Sequence, residues 1–152
     1  MARRKKVTIG RSEYIDLPDW GIYGVLAKVD TGARTSALHV EDIIPMEDGR
    51  VLFHVILDRH QPANRLEVCA HVIKRARVRS SSGHFSVRWF VKTKARIGPI
   101  EKGIEISLDR RDKMAYRMLL GRRALQKDFL VDVSKRHTLG GLHKDDLERN
   151  VE

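Results

Sequence analysis

From Phe85 to Arg96 the chain alternates with a period of two. Phe85, Val87, Trp89, Val91 and Thr93 fall on one face, and Arg88, Phe90, Lys92, Lys94 and Arg96 on the other. A helix repeats its faces every 3.6 residues, so this pattern commits the segment to an extended strand with one buried side. Leu52, His54 and Ile56 interleave with Phe53, Val55 and Leu57 in a continuous apolar run, which predicts a strand buried on both faces. Ile104, Ile106 and Leu108 mark another strand, and Phe129 to Val133 a last one. Turn-forming clusters separate these runs: Glu47-Asp48-Gly49, Gln61-Pro62-Ala63-Asn64, Ser80-Ser81-Ser82-Gly83 and Gly98-Pro99. Only Arg122 to Lys127 reads as a short helix. The expected fold is all-β, a small closed barrel or sandwich with that one helix.

A length of 152 residues fits one domain, with 41% hydrophobic and 33% charged residues as in an ordinary globular chain. The predicted domain covers residues 1–133, opening with a basic arm over residues 1–6. Residues 134–152, with Gly140-Gly141 and many charges, are expected to form a loosely held polar tail. The single cysteine, Cys69, excludes an intrachain disulfide and suits a reducing compartment. No apolar core follows the basic start, and no run is long enough to span a membrane, so the expected location is the cytoplasm without membrane partners. The net charge of +10 favours anionic partners without choosing among them.

The segment Ala27-Lys28-Val29-Asp30-Thr31-Gly32-Ala33 carries the candidate chemistry. It places Asp30 where a strand ends, followed by a small hydroxyl residue and a glycine. Two carboxylates held close together cannot both ionise; one stays protonated as acid while the other serves as base. Gly32 lets backbones approach without a Cβ between them, and the Thr31 hydroxyl can fix carboxylate orientation across such a pair. The chain contains no second Asp-Thr-Gly, so a two-carboxylate site requires a symmetric homodimer.

A second block, Tyr116-Arg117-Met118-Leu119-Leu120-Gly121-Arg122-Arg123-Ala124-Leu125, runs from an apolar strand through Gly-Arg into the short helix. With Asp30-Thr31-Gly32-Ala33, this resembles the retropepsins. More closely, the chain resembles the bacterial family once labelled ATP-dependent zinc proteases and associated with a glutamate ligase that modifies a ribosomal protein. The resemblance rests on Ile9-Gly10-Arg11-Ser12-Glu13, Leu17-Pro18, Ala27 to His39, Arg79 to Gly83, Leu119 to Arg122, and Phe129 to Val133. It implies an acid-protease fold and aspartic endopeptidase activity. Asp30 would be the catalytic residue, supported by Thr31, Gly32, Ala33 and Gly121. Ser80, Ser81, Ser82 and Gly83 would form the tip of a flap over a peptide substrate. Where the viral proteases carry an acidic residue after this Ala, the chain has Arg34, so Arg122 needs another partner: Asp128, another carboxylate or the substrate. Arg34 and Arg122 are accordingly candidate substrate-binding residues, favouring an acidic or glutamate-rich peptide.

The metal label finds no support in the motifs. His-Glu-x-x-His is absent, the 7 histidines are scattered, and the pair Cys69 and His71 reads as a buried free thiol beside a satisfied ring. No phosphate-binding glycine loop is present, so no cofactor and no metal are expected. Arg75, Arg77 and Arg79 alternate into the Ser80 tip, while Arg88, Lys92, Lys94 and Arg96 leave it. Paired as a hairpin, these cations could line one face. That face would bind RNA or the ribosome without catalysis, bind an acidic protein, or simply be solvated and interleaved with Glu101, Glu105 and Asp109.

Overall fold

The computed structural model describes residues 5–56, 64–79, 82–110 and 115–139. Among them the strands are β1 (Val7–Ile9), β2 (Ser12–Leu17), β3 (Ile22–Val29), β4 (Ser36–Pro45), β5 (Arg50–Ile56), β6 (Arg65–Arg79), β7 (Phe85–Ile97), β8 (Ile100–Asp109), β9 (Met118–Leu120) and β10 (Phe129–Val131). One short helix, α1 (Arg122–Leu125), follows β9, and a 3-10 turn covers Pro18–Trp20. The all-β expectation with a single short helix therefore holds. None of the described helices is long and apolar enough to cross a membrane.

Eight strands join in the order β2-β3-β9-β4-β5-β6-β7-β8, and further pairings of β2 with β7 and β4 with β8 close the sheet on itself. The alternation read in β7 gives the closed sheet its buried inner face. Val91, Thr93, Ala95 and Ile97 point inward while Lys92, Lys94 and Arg96 face solvent. Inside lie Phe53, Ile9, Leu17, Leu38, Ile106, Leu108, Met118 and Leu120, all at most 2% exposed. Strand β4 serves two neighbourhoods. Ser36 to His39 pair with β8 and Ala37 and Leu38 with β9, whereas Val40 to Pro45 pair with β5 across a register shift between Glu41 and Ile44, where Asp42 has φ of 55°.

Two expectations are corrected here. Strand β5 is buried mainly on one face: Val51, Phe53 and Val55 point to the core, while on the other side Leu52 and His54 are half-buried and only Ile56, at the strand end, is buried. His54 belongs there because its ring nitrogens bond the carboxylates of Asp42 (2.9 Å) and Glu67 (3.3 Å) at the surface. The segment after residue 133 is not loose where it is described. The Lys135 carbonyl accepts from the Arg11 amide, and the His137 amide donates to the Ser12 carbonyl. Gly10 makes this contact possible, since a Cβ there would lie 2.5 Å from the Lys135 oxygen. Residues 1–4 of the basic arm and 140–152 of the tail lie outside the described residues.

Candidate active site

Asp30 stands where β3 ends, and the loop from Asp30 to Thr35 carries the chain into β4. Strand β9 lies between these two strands, parallel to β3 and antiparallel to β4, so the loop arches over the end of a strand from much later in the sequence. The Asp30 amide donates to the Leu120 carbonyl (2.9 Å). Further along, the Arg122 and Arg123 amides donate to the Ala33 (2.8 Å) and Arg34 (3.1 Å) carbonyls. The Gly121 amide donates to the Ser36 hydroxyl (3.1 Å). A Cβ on Gly121 would lie 2.6 Å from the Thr35 carbonyl carbon, so only glycine permits this approach of the two blocks. The carboxylate itself is half-buried, and its Oδ1 accepts from the Gly32 amide at 3.0 Å. Thr31 and Gly32 are exposed and Ala33 is half-buried.

Arg122 finds a partner that the sequence did not suggest. Its guanidinium donates to the Thr31 (3.1 Å) and Gly32 (3.0 Å) carbonyls, pinning the loop from outside. The proposed partner Asp128 pairs instead with Lys102 at 2.6 Å. Arg122 is thus a brace for the aspartate loop. Arg34 is exposed and carries no ion pair among the described residues.

A cavity of about 330 Å³ opens beside Asp30, with Arg34, Arg88, Phe90 and Ser107 among its walls. Its floor follows from register: Leu119 is paired with Ala37, Ala37 with Ser107, and Ser107 with Phe90. Directly paired residues share a face, so these side chains form one row across β9, β4, β8 and β7, with two small residues between two large ones. On the other side of the loop, a cavity of about 290 Å³ is lined by Thr31, Arg122, Leu125, Gln126, Phe129 and Val131. The sequence reading missed Ser107, Phe90 and the site role of Arg88, because nothing local distinguishes a serine in one strand or an arginine in another as neighbours of Asp30.

The hairpin of β6 and β7 corrects the single basic face. Arg75, Arg77 and Arg79 are paired with Trp89, Val87 and Phe85, whereas Arg88 is paired with Ala76 on the opposite face. The cations therefore divide between the two sides of the hairpin. Most of those sharing the Arg88 side are matched by carboxylates: Lys74 with Glu105, Arg88 with Asp109, Lys94 with Glu101, and Arg96 with Asp16 and Glu101. On the other side, the Arg77 and Arg75 guanidinium groups stack on Phe85 (4.3 Å) and Trp89 (5.5 Å). At the tip, Ser82 and Gly83 are exposed, Gly83 having φ of 86° as a left-handed turn requires, while Ser80 and Ser81 lie outside the described residues.

Strand β2, which pairs with β3, is itself tied to the segment after residue 133. Glu13 is fully buried in β2, and its carboxylate accepts from the Gly10 amide (2.7 Å), the Thr138 amide (3.0 Å) and hydroxyl (2.7 Å), and the Leu139 amide (3.1 Å). Burial alone would raise its pKa, but these donors together outweigh it and hold the carboxyl below the ordinary range. Cys69 is exposed rather than buried, with its sulfur 3.8 Å from that of Met46. Among the described residues no cluster of His, Cys, Asp or Glu is placed to hold a metal ion.

Comparison with known proteins agrees with this geometry. Residues 8–140 match the family described as "Retropepsin-like aspartic endopeptidase RimB". A protein from Parasynechococcus marenigrum called a probable alpha-L-glutamate ligase is 34% identical over 95% of the chain, and one of the same name from Shewanella pealeana is 36% identical over 94%. The chain spans only 32% and 31% of the length of those relatives. The crystal structure of Lpg0085, a Legionella pneumophila protein of unknown function, shares the fold with a TM-score of 0.74, covering 89% of this chain and 99% of that one at 23% identity.

Proposed function

The chain belongs to the RimB-like family of retropepsin-like aspartic endopeptidases, and from that premise we propose that it hydrolyses peptide bonds with a two-aspartate dyad formed between two copies. The observation that carries this reading is the doubly braced loop, which presents a single half-buried carboxylate at the end of β3. In the dimer the two Asp30 carboxyls share one proton. The ionised one takes a proton from a water as that water attacks the peptide carbonyl, and the protonated one donates to the carbonyl oxygen. Exposed Thr31 is available to cross the two-fold axis. The apolar groove beside it, with Leu130 (55% exposed) and Val133 (74% exposed) nearby in sequence, offers surface for the second copy. An acidic, glutamate-rich peptide is the favoured substrate, because Arg34 and Arg88 flank the cavity beside Asp30. The names of the relatives point to glutamate chemistry as well.

The test is Asp30→Asn, assayed on glutamate-rich and neutral peptides together with sedimentation. Loss of all cleavage by a folded dimer supports the reading; cleavage by the variant, or full activity from a strict monomer, refutes it. A second, non-catalytic reading draws on the guanidinium groups of Arg75 and Arg77, which have ring partners and no carboxylate partner among the described residues. In it the hairpin binds RNA, including that of the ribosome, through phosphates and stacked bases. It requires salt-sensitive RNA binding that Arg77→Glu weakens, with no change in sequestration by neutral polymers.

A further inference from the structure

Two buried polar groups on the wall of the Asp30 cavity have no hydrogen-bond partner among the described residues. Ser107 is 4% exposed, and its hydroxyl makes no hydrogen bond; the Nε of Arg88 is likewise buried without one. Among the described residues Arg88 makes one ion pair, to Asp109 at 3.3 Å, and the rest of its guanidinium meets no further carboxylate there. Unpaired buried polar atoms are rare in folded proteins because each forfeits its bonds to water, and two on one cavity wall require a reason. The hollow itself has a simple origin: small Ala37 and Ser107 stand between Leu119 and Phe90 in one row across the sheet.

We propose that Arg88 and Ser107, joined by Arg34 at the rim, form a carboxylate-binding subsite that fixes an acidic substrate residue beside Asp30. The inference rests on the peptidase reading and adds to it the groups that read the charge. A guanidinium only donates, so the missing ligand must accept, and two guanidinium groups against one carboxylate on the cavity wall favour an anion. A carboxylate matches the planar fork of a guanidinium and leaves one oxygen for the Ser107 hydroxyl. Phe90, 8% exposed, supplies an apolar wall for the methylene groups of a glutamate. Arg122 is excluded from this role because the Thr31 and Gly32 carbonyls occupy it.

The same chemistry fits a glutamate side chain or the free carboxyl terminus of a peptide, and the experiment separates them. Binding to the Asp30→Asn protein is measured by calorimetry, so the result does not depend on turnover. The probes are a short glutamate peptide and its glutamine counterpart, each as free acid and as terminal amide. The subsite predicts about a tenfold to hundredfold preference for glutamate over glutamine, retained by the terminal amides. A preference that follows the free acid assigns the subsite to the chain terminus. Ser107→Ala and Arg88→Lys should each reduce the preference. Ser107→Ala should also raise the melting temperature of the peptide-free protein slightly, because it removes an unpaired hydroxyl. Equal binding of glutamate and glutamine, or a preference untouched by both variants, overturns the subsite. If the unmodified protein cleaves nothing while the preference persists, the peptidase reading fails and the subsite stands.

Discussion

Replacing Glu13 by glutamine removes a charge from a fully buried carboxylate while keeping its shape. Three donors converge on Oε2: the Gly10 amide, the Thr138 amide and the Thr138 hydroxyl. The Leu139 amide reaches Oε1. The best placement of the new amide keeps its oxygen at the first position and turns its NH2 toward Leu139, donor against donor. Bonds to a charged acceptor are worth ~1.5–3 kcal/mol and neutral ones ~1 kcal/mol. Losing one and weakening three, less the relief of no longer burying a charge, leaves a net cost of about 3 kcal/mol. For a chain of this size that lowers the melting temperature by roughly 6–12 °C. The pH dependence gives a second signature. The folded pKa lies below the ordinary glutamate value of 4.5, so the carboxylate contributes in full above its unfolded pKa and its contribution fades as pH falls through the folded one. Thermal unfolding of both proteins across that range should show a gap at neutral pH that narrows on acidification, with faster tryptic cleavage after Lys135 or Arg136 in the variant. Equal melting temperatures at neutral pH, or a gap independent of pH, would refute the assignment of Glu13 as a charged clasp.

Gly121→Ala should destabilise the fold by at least ~2 kcal/mol, because its Cβ would meet the Thr35 backbone at 2.6 Å, where no flexible side chain can give way; denaturant titration checks this. On the peptidase reading, Arg122→Ala, and Arg122→Lys to a lesser degree, should lower kcat about tenfold or more with little change in KM, since the guanidinium is engaged by the Thr31 and Gly32 carbonyls of the Asp30 loop. The His54 ring, hydrogen-bonded to Asp42 and Glu67, should titrate above its ordinary value of 6.5 by NMR, and Asp42→Asn should bring it back down. Its contribution to stability is present below pH 6.5 and lost as pH rises through the folded pKa.

The features legible in the sequence were those encoded over a few consecutive residues. The β7 alternation gave strand and buried face together, and Asp30-Thr31-Gly32 and Leu119-Leu120-Gly121-Arg122 marked two blocks that the structure places in contact. What escaped depended on register or on distant backbone. The register shift between Val72 and Lys74 sets which β6 residues share a side with Arg88, and no local pattern announces it. Arg122 was matched against carboxylates because side-chain partners can be sought in a sequence, whereas its acceptors are main-chain carbonyls that exist only once the loop is folded. Glu13 figures in the sequence reading only within the block Ile9 to Glu13, with no role of its own, since its donors Thr138 and Leu139 lie at the far end of the described chain.

The insertion of β9 between β3 and β4 bears on when the carboxylate becomes competent during synthesis. Val29 and Asp30 emerge early, yet their neighbours Leu120, Gly121 and Arg122 are made only after most of the barrel. Closing so long a segment forfeits chain entropy before any contact compensates it, and such distant pairings slow folding. A nascent chain that stops short of Leu120 holds the Asp-Thr-Gly sequence without the wall that shapes it. The order of strands thus delays the geometry of the Asp30 loop until most of the barrel exists.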